Sequence, residues 1–188
     1  MYLLYHIEEW VGVDPSQVYE GKINEAVKRA LRETLEGQVD EELGIIVAVI
    51  DAEAIGEGLI LPASGDPNIY LRVRYTILVY QPVLLEVVKG VVREAREHGI
   101  FVGLGPIDGF VFKNQIMDEP VEYIPDRKGF RGLDSGRIVE LDDIVRARIV
   151  QISKLPRRTV GLRIGMTMRQ PYLGKEEWII EQVKSQAT

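Results

Sequence analysis

The sequence predicts two domains, an α+β domain over residues 1–80 and an all-β barrel over residues 81–188. A length of 188 residues suits two domains of about 80 to 110 residues each. The charge changes at the same point, because residues 1–80 carry 6 Lys or Arg against 14 Asp or Glu, whereas residues 81–188 carry 17 against 15. A Gln81-Pro82 step marks the boundary. The acidic first domain is thus a poor nucleic-acid binder on its own, and the second is permissive.

Composition excludes several classes of protein and of site. With 46% hydrophobic and 28% charged residues, the chain has the balance of an ordinary globular protein. No apolar run approaches the roughly 18 to 20 residues that would span a membrane, and the N-terminus lacks a signal pattern, so we expect a cytoplasmic protein. There is no cysteine, and His6 and His98 lie far apart, so we expect neither a metal site nor a cofactor.

The first domain reads as one helix on a small antiparallel sheet. Residues 1–7 form an apolar run typical of a strand buried on both faces, and Asp14-Pro15-Ser16 ends it. Apolar residues at helical spacing predict a helix over residues 21–36, with Gly37 as its C-cap. Two β-rich runs, residues 43–51 and 69–80, predict strands. In the second run the expected apolar positions are Tyr70, Val73, Tyr75, Ile77 and Val79.

Residues 56–67 combine turn residues with large aliphatic side chains. Leu59, Ile60 and Leu61 follow one another between glycines and prolines. Such a loop tip either inserts into a partner or forms a third short strand whose side chains its own domain covers. The pattern alone leaves both interpretations open.

The second domain is organised around a hairpin over residues 99–118. Apolar runs 99–104 and 110–112 flank a Gly- and Pro-containing turn at residues 105–109. Ile100, Val102 and Leu104 share one face of the first strand, and Phe101 lies on the other. Phe101, Phe112 and Lys113 could face a stacked nucleotide strand, or both rings could belong to the core.

The remaining elements complete the plan of an OB barrel. Residues 83–96 precede the hairpin, and their β-branched content favours a strand with a bend at Gly90, although their charged residues would also suit a helix. A single helical turn at residues 114–118 follows the hairpin. We expect residues 122–136 to be a polar insertion or long loop, residues 143–153 and 159–168 to be strands, and residues 154–158 to be a basic turn. A short amphipathic helix containing Trp178 ends the chain. Five strands with a helical turn after the third are typical of the OB fold.

Several segments of the second domain resemble a known family. The OB domain repeated in the largest small-subunit ribosomal protein is similar at Gly90-Val91-Val92-Arg93, Gly99-Ile100-Phe101-Val102, Gly109-Phe110-Val111-Phe112, Asn114-Gln115-Ile116 and Val145-Arg146-Ala147-Arg148-Ile149. More specifically, the segments GPIDGFVFKNQIMDEPVEYIPD, FRGLDSG and TMRQPYLGKEEWI resemble the larger stalk subunit of archaeal DNA-directed RNA polymerase, the counterpart of the seventh subunit of eukaryotic RNA polymerase II. The likeness covers essentially the entire chain, and IGEGLILPASGD matches the glycine-rich tip of that family.

The resemblance implies a non-catalytic stalk subunit of RNA polymerase. It would form a heterodimer with a small helical RNA polymerase subunit, called the small stalk subunit below. Its first domain would be a truncated ribonucleoprotein-like fold that contacts this partner and docks on the polymerase core through Gly56, Gly58, Leu59, Ile60, Leu61, Pro62 and Gly65. Its OB domain would bind emerging single-stranded RNA without strong sequence preference. By this likeness the RNA-binding residues are His98, Phe101 and Phe112, with Ser153 and Arg163 on adjoining strands and Lys113 and Arg148 as nearby cations. Phe110 is then the expected core member of the pair Phe110 and Phe112, although the two share the same strand parity.

Two other functions compete with that interpretation. A free-standing OB-fold RNA-binding protein of translation or RNA processing would bind RNA as a monomer, although it leaves the aliphatic tip unexplained. A hydrolase could use the pairs Asp142-Asp143 or Glu41-Glu42. However, adjacent carboxylates on a strand point to opposite faces, and neither a nucleophile-base set nor a phosphate loop accompanies them. We therefore expect no active site.

Overall fold

The computed structural model describes residues 1–18, 22–40, 42–60, 67–154 and 161–186. The chain divides into two compact units, Met1–Gln81 and Pro82–Thr188. In the described part of the chain, the first unit contains one α-helix and five strands, and the second contains a β-barrel, a small separate sheet and one α-helix. The predicted fold class, an α+β domain followed by an OB barrel, is confirmed.

The first unit is an antiparallel sheet with a helix on one face. Its elements are β1 (Tyr2–Val13), α1 (Ile23–Leu35), β2 (Val39–Asp40), β3 (Gly44–Ala54), β4 (Leu59–Ile60) and β5 (Ile69–Tyr80). The strand order is β1-β5-β3-β2, and β4 pairs with β5. Helix α1 ends at Leu35, and its C-cap is Glu36 rather than the expected Gly37. Gly37 follows the cap with a φ of +83°, a conformation that glycine adopts without steric cost.

The core of this unit lies between α1 and the sheet. Ala26, Val27 and Leu31 of α1 are buried against alternate residues of the central strand β5. Those residues are Leu71, Val73, Tyr75, Ile77 and Val79. The Tyr75 hydroxyl donates a hydrogen bond to the Glu9 carboxylate. Burial raises the pKa of Tyr75 above its usual range, and the hydrogen bond to Glu9 and the negative charge of Glu9 raise it further. Leu71 takes the core position that we expected for Tyr70, which is half-buried on the other face.

Strand β1 differs from the prediction. Residues 1–7 were expected to be buried on both faces, but among the described residues β1 pairs with β5 alone and is an edge strand. Because α1 covers one face of the sheet, alternate side chains of β1 face away from it, and Tyr2 and Leu4 are 49% and 58% exposed. An apolar run without polar alternation does not reveal this difference between its two faces.

The second unit is a closed barrel with additions. Its elements are β6 (Val87–Arg96), β7 (Gly99–Gly103), β8 (Asp108–Phe112), β9 (Val121–Ile124), β10 (Gly129–Gly132), β11 (Ile138–Val139), β12 (Ile144–Lys154), β13 (Leu162–Thr167), β14 (Gly174–Lys175) and α2 (Glu176–Gln186). The barrel strands follow the order β13-β8-β7-β6-β12, and the pairing of β12 with β13 closes the ring. The β8–β13 pair is parallel, and the helical turn after β8 is a 3₁₀ turn at Lys113–Gln115.

Of the two structures expected for residues 122–136, the long loop is wrong, and the segment is an insertion that carries strands of its own. These residues contribute β9 and β10 to a three-stranded antiparallel sheet with β11. Phe130 is fully buried with its ring centroid 5.3 Å from that of Tyr123, whose hydroxyl donates to the Ala95 carbonyl at 3.2 Å. The strands are so short that turn residues dominate the local composition, and the buried aromatic anchor supplies the stability instead.

Helix α2 packs through the two residues Trp178 and Ile179, which are buried. The Arg137 guanidinium lies 5.8 Å from the centre of the Trp178 ring and also pairs with Glu181 at 3.2 Å. Within the residues that the structure describes, no helix is long and apolar enough to cross a membrane.

Candidate nucleic-acid interface

The β7–β8 hairpin determines which side chains face outward from the barrel. In its register Gly99 opposes Phe112, Phe101 opposes Phe110, and Gly103 opposes Asp108. The alternate residues Ile100, Val102 and Val111 are completely buried inside the barrel. Because successive side chains of a strand point to opposite faces, Phe101, Phe110 and Phe112 share the outer face.

These three rings form a continuous aromatic row, the name used below for Phe101, Phe110 and Phe112. The Phe101 and Phe110 ring centroids are 4.8 Å apart with an interplanar angle of 50°, and those of Phe110 and Phe112 are 4.7 Å apart and nearly perpendicular, at 82°. Phe112 is 58% exposed, whereas Phe101 and Phe110 are half-buried. The row offers an exposed apolar surface on which planar bases could stack.

Phe110 corrects an expectation drawn from the sequence. It seemed the core member of the pair Phe110 and Phe112, although the two have the same strand parity. In the structure neither ring lies in the core, which takes Val111 instead. Gly99 makes this arrangement possible, because a Cβ at that position would come within 2.8 Å of the Phe110 ring. Phe110 and Phe112 are two residues apart on one strand and therefore share a face, and this sequence signal should have placed Phe110 on the outer face of the barrel.

Two arginines that the sequence did not single out flank the aromatic row. The Arg96 guanidinium lies 5.3 Å from the centre of the Phe101 ring and binds Glu94 with an Nε–Oε1 distance of 2.7 Å. That hydrogen bond holds the pKa of the Glu94 carboxyl below its usual range. Arg93 lies across Gly103 and pairs with Asp108 at 3.2 Å. Both arginines thus have carboxylate partners.

His98 and Lys113 lie at one end of the aromatic row. His98 is exposed in the turn between β6 and β7, and its carbonyl accepts the backbone N–H of Lys113 at 2.9 Å. Lys113 directly follows Phe112 and is also exposed. The structure therefore brings His98, Phe112 and Lys113 together, as a single RNA-facing surface would require.

Ser153 and Arg163 lie at the opposite end. They are cross-strand partners in the β12–β13 pair. Ile164 is in register with Gly109, so Arg163 is level with Asp108 rather than with Phe112. Arg148 opposes Thr167 and is half-buried, with an Nε that is buried and has no hydrogen-bond partner among the described residues.

The tip residues belong to the first unit. Leu59 and Ile60 form the two-residue strand β4 against Tyr70 and Ile69, and their exposed fractions are 52% and 67%. A short strand is therefore present, but its own domain does not cover these side chains. Gly56 has a φ of +77°, and a Cβ at Gly58 would come within 2.9 Å of the Ile69 and Leu71 side chains. The predicted tip residues Leu61, Pro62 and Gly65, like residues 155–158 of the basic turn, lie outside the described residues.

Comparison with family models matches both units. Residues 8–65 match the model described as "SHS2 domain found in N terminus of Rpb7p/Rpc25p/MJ0397". Residues 85–162 match the S1 RNA binding domain, which includes the aromatic row and most of the barrel.

Similar proteins extend this match over nearly the whole chain. DNA-directed RNA polymerase subunit Rpo7 of Saccharolobus solfataricus is 34% identical over 98% of this chain and 100% of its own length. Rpo7 of Sulfolobus acidocaldarius is 32% identical over 90% of each chain. DNA-directed RNA polymerase II subunit RPB7 of Glycine max is 29% identical over 64% of this chain and 67% of its own.

Proposed function

The chain belongs to the family of DNA-directed RNA polymerase subunits that contains archaeal Rpo7, and from that membership we propose that it is a non-catalytic stalk subunit that binds emerging single-stranded RNA. In this role it pairs with the small stalk subunit and docks on the polymerase core through its tip. The polymerase is cytoplasmic, and the chain contributes no active site of its own to it.

The observation that carries the RNA-binding part of the proposal is the exposure of the aromatic row. The Phe112 side chain is 58% exposed on the outside of a closed barrel and contacts the ring of Phe110, which in turn contacts Phe101, so it contributes little to the core. Stacking of a base on such a ring stabilises a complex by roughly 1–3 kcal/mol and is tolerant of base identity, because every base has a π-face. A platform of this kind suits a transcript of arbitrary sequence.

The charges of the two units also support RNA binding by the second unit rather than the first. The first unit carries 14 acidic against 6 basic residues over positions 1–80, so it would repel the phosphate backbone. Positions 81–188 carry 17 basic against 15 acidic residues. A nearly neutral RNA-binding domain neutralises few phosphates, and we therefore expect modest affinity with a shallow salt dependence.

The tip supports the proposed docking on the core. Leu59 and Ile60 expose more than half of their side-chain surface next to Gly56 and Gly58. Adjacent exposed aliphatic residues on a narrow tip are typical of a segment that inserts into a partner. The free-standing RNA-binding protein considered as an alternative would gain nothing from this exposure.

Co-expression with a candidate small stalk subunit followed by size-exclusion chromatography tests the assembly, and fluorescence anisotropy with labelled single-stranded RNA tests the binding. We expect a 1:1 heterodimer that retains RNA binding and attaches to polymerase core. A monomer that binds RNA tightly and ignores both partners would instead support the free-standing alternative. Absence of RNA binding by the folded heterodimer would refute the role of the aromatic row.

A further inference from the structure

A groove runs beside Phe112 across strand β13. Its lining includes Phe112, Gln115, Val150, Gln151, Gly165 and Thr167. A β-bulge between Ile149 and Gln151 leaves Val150 as the extra residue of β12, with its side chain 44% exposed. Bulges of this kind redirect side chains and are common next to functional sites. The groove therefore places an aromatic ring, an aliphatic side chain and the three amides of Gln115, Gln151 and Gln170 around one space.

Gly165 keeps the floor of the groove open. It is in register with Phe110 on β8 and with Gln151 on β12. A Cβ at this position would lie 3.2 Å from the Cβ of Gln151, and the Gln151 Oε1 would be 3.7 Å away. Any side chain at position 165 would thus enter the groove beside the side chain of Gln151.

The amide of Gln115 is held in one orientation. Thr167 Oγ1 accepts the backbone N–H of Arg169 at 3.3 Å and donates its own hydrogen to Gln115 Oε1 at 2.7 Å. The Gln115 carbonyl also accepts the Met168 N–H at 2.7 Å, which fixes the main chain. With Oε1 occupied by a buried hydroxyl, the group that Gln115 can offer to the groove is its Nε2, which carries two donors and no acceptor.

We propose that this groove is a base-selective subsite that favours a base with an exocyclic carbonyl, such as uracil, over one with an amino group in its place, such as cytosine. The inference rests on the proposed RNA binding. A base stacked on Phe112 would direct its edge toward Gln115, where the Nε2 donors meet the O4 acceptor of uracil. Cytosine carries an amino donor at that position, so two donors would face each other without a hydrogen bond.

Uracil and cytosine are matched in size and stacking, so the comparison isolates the edge contact. The test is fluorescence anisotropy of the full chain with U8 and C8 RNA. One neutral hydrogen bond corresponds to a change of about two- to tenfold in affinity, and we expect U8 to bind about fivefold more tightly than C8. Gln115→Met should lower this ratio to about one, and Gln38→Met, at an exposed glutamine of the first unit, should leave it unchanged.

Gly165→Ala is an independent test of the subsite, because it narrows the groove while leaving the Gln115–Thr167 hydrogen bond in place. It too should bring the ratio toward one, and thermal melting establishes that each variant is folded. Equal binding of U8 and C8 by the unaltered chain, or an unchanged ratio in folded Gly165→Ala, would overturn the subsite while leaving the proposed RNA binding intact. Binding of neither oligonucleotide would instead refute the proposed function.

Discussion

Replacing Phe112 with alanine should separate RNA binding from stability. The side chain is 58% exposed, and its contact with Phe110 is edge-on at 4.7 Å. Full burial makes a Phe→Ala change cost about 3–5 kcal/mol, so with less than half of the ring covered we expect a loss of about 1–2 kcal/mol in the free energy of unfolding. If one base stacks on the ring, affinity should fall by about 1–3 kcal/mol, which is roughly 5- to 140-fold.

Val111→Ala is the matched control, because Val111 precedes Phe112 on the same strand and is completely buried. Deleting its two methyl groups should cost about 2 kcal/mol of stability through lost burial and a small cavity, with RNA affinity unchanged below the melting transition. Urea unfolding and fluorescence anisotropy on both variants measure the two effects. The reasoning fails if Phe112→Ala unfolds the barrel, or if the folded variant binds RNA as well as the unaltered chain.

Two further predictions concern the tip and an ion pair. In a pull-down assay, the double variant Leu59→Asp with Ile60→Asp should still bind the small stalk subunit but should no longer bind polymerase core. Because both residues are exposed, the free energy of unfolding should change by no more than about 0.5 kcal/mol per site. If the variant still binds the core, these side chains have a role within the chain instead. Burial lowers the pKa of Lys175, but bonds and charges from Asp143 at 2.9 Å and from Glu177 outweigh it and hold that pKa above 10.5. The charged form of Lys175 therefore stabilises the folded chain fully below pH 10.5, and this contribution is lost as the pH rises through the raised pKa of Lys175. Over that pH range the melting temperature should fall more steeply for the unaltered chain than for Lys175→Met.

Strands with clear alternation were predictable from the sequence. Strand β5 has the bounds Ile69–Tyr80 that its pattern predicts, because charged and apolar residues alternate through a half-buried position in the sheet. The β7–β8 hairpin was equally predictable, since Gly, Pro and Asp mark its turn and Ile100 and Val102 mark its inner face. In both cases a local rule and the tertiary environment favour the same structure.

Sequence-based predictions were wrong for elements whose structure depends on contacts with distant parts of the chain. The apolar residues of β1 gave no sign that this strand lies at an edge, since among the described residues no second strand pairs with its outer side. The sheet formed by β9, β10 and β11 looked like a loop because its strands are two to four residues long, and the buried ring of Phe130 is a single residue in a polar segment. The groove beside Phe112 joins β8, β12, β13 and a 3₁₀ turn, which no local pattern connects.

The pairing of charges on the outer barrel face explains why rings, rather than cations, should dominate RNA binding. Arg96 beside Phe101 is bound to Glu94, and Arg93 beside Gly103 is bound to Asp108. A phosphate that approached either guanidinium would compete with a carboxylate already in place, so each arginine offers less net attraction than an unpaired cation would. The exposed ring of Phe112 has no such competitor. We therefore expect an RNA strand on this surface to be held mainly by stacking, which would suit the proposed role of a subunit that accepts and releases a moving transcript.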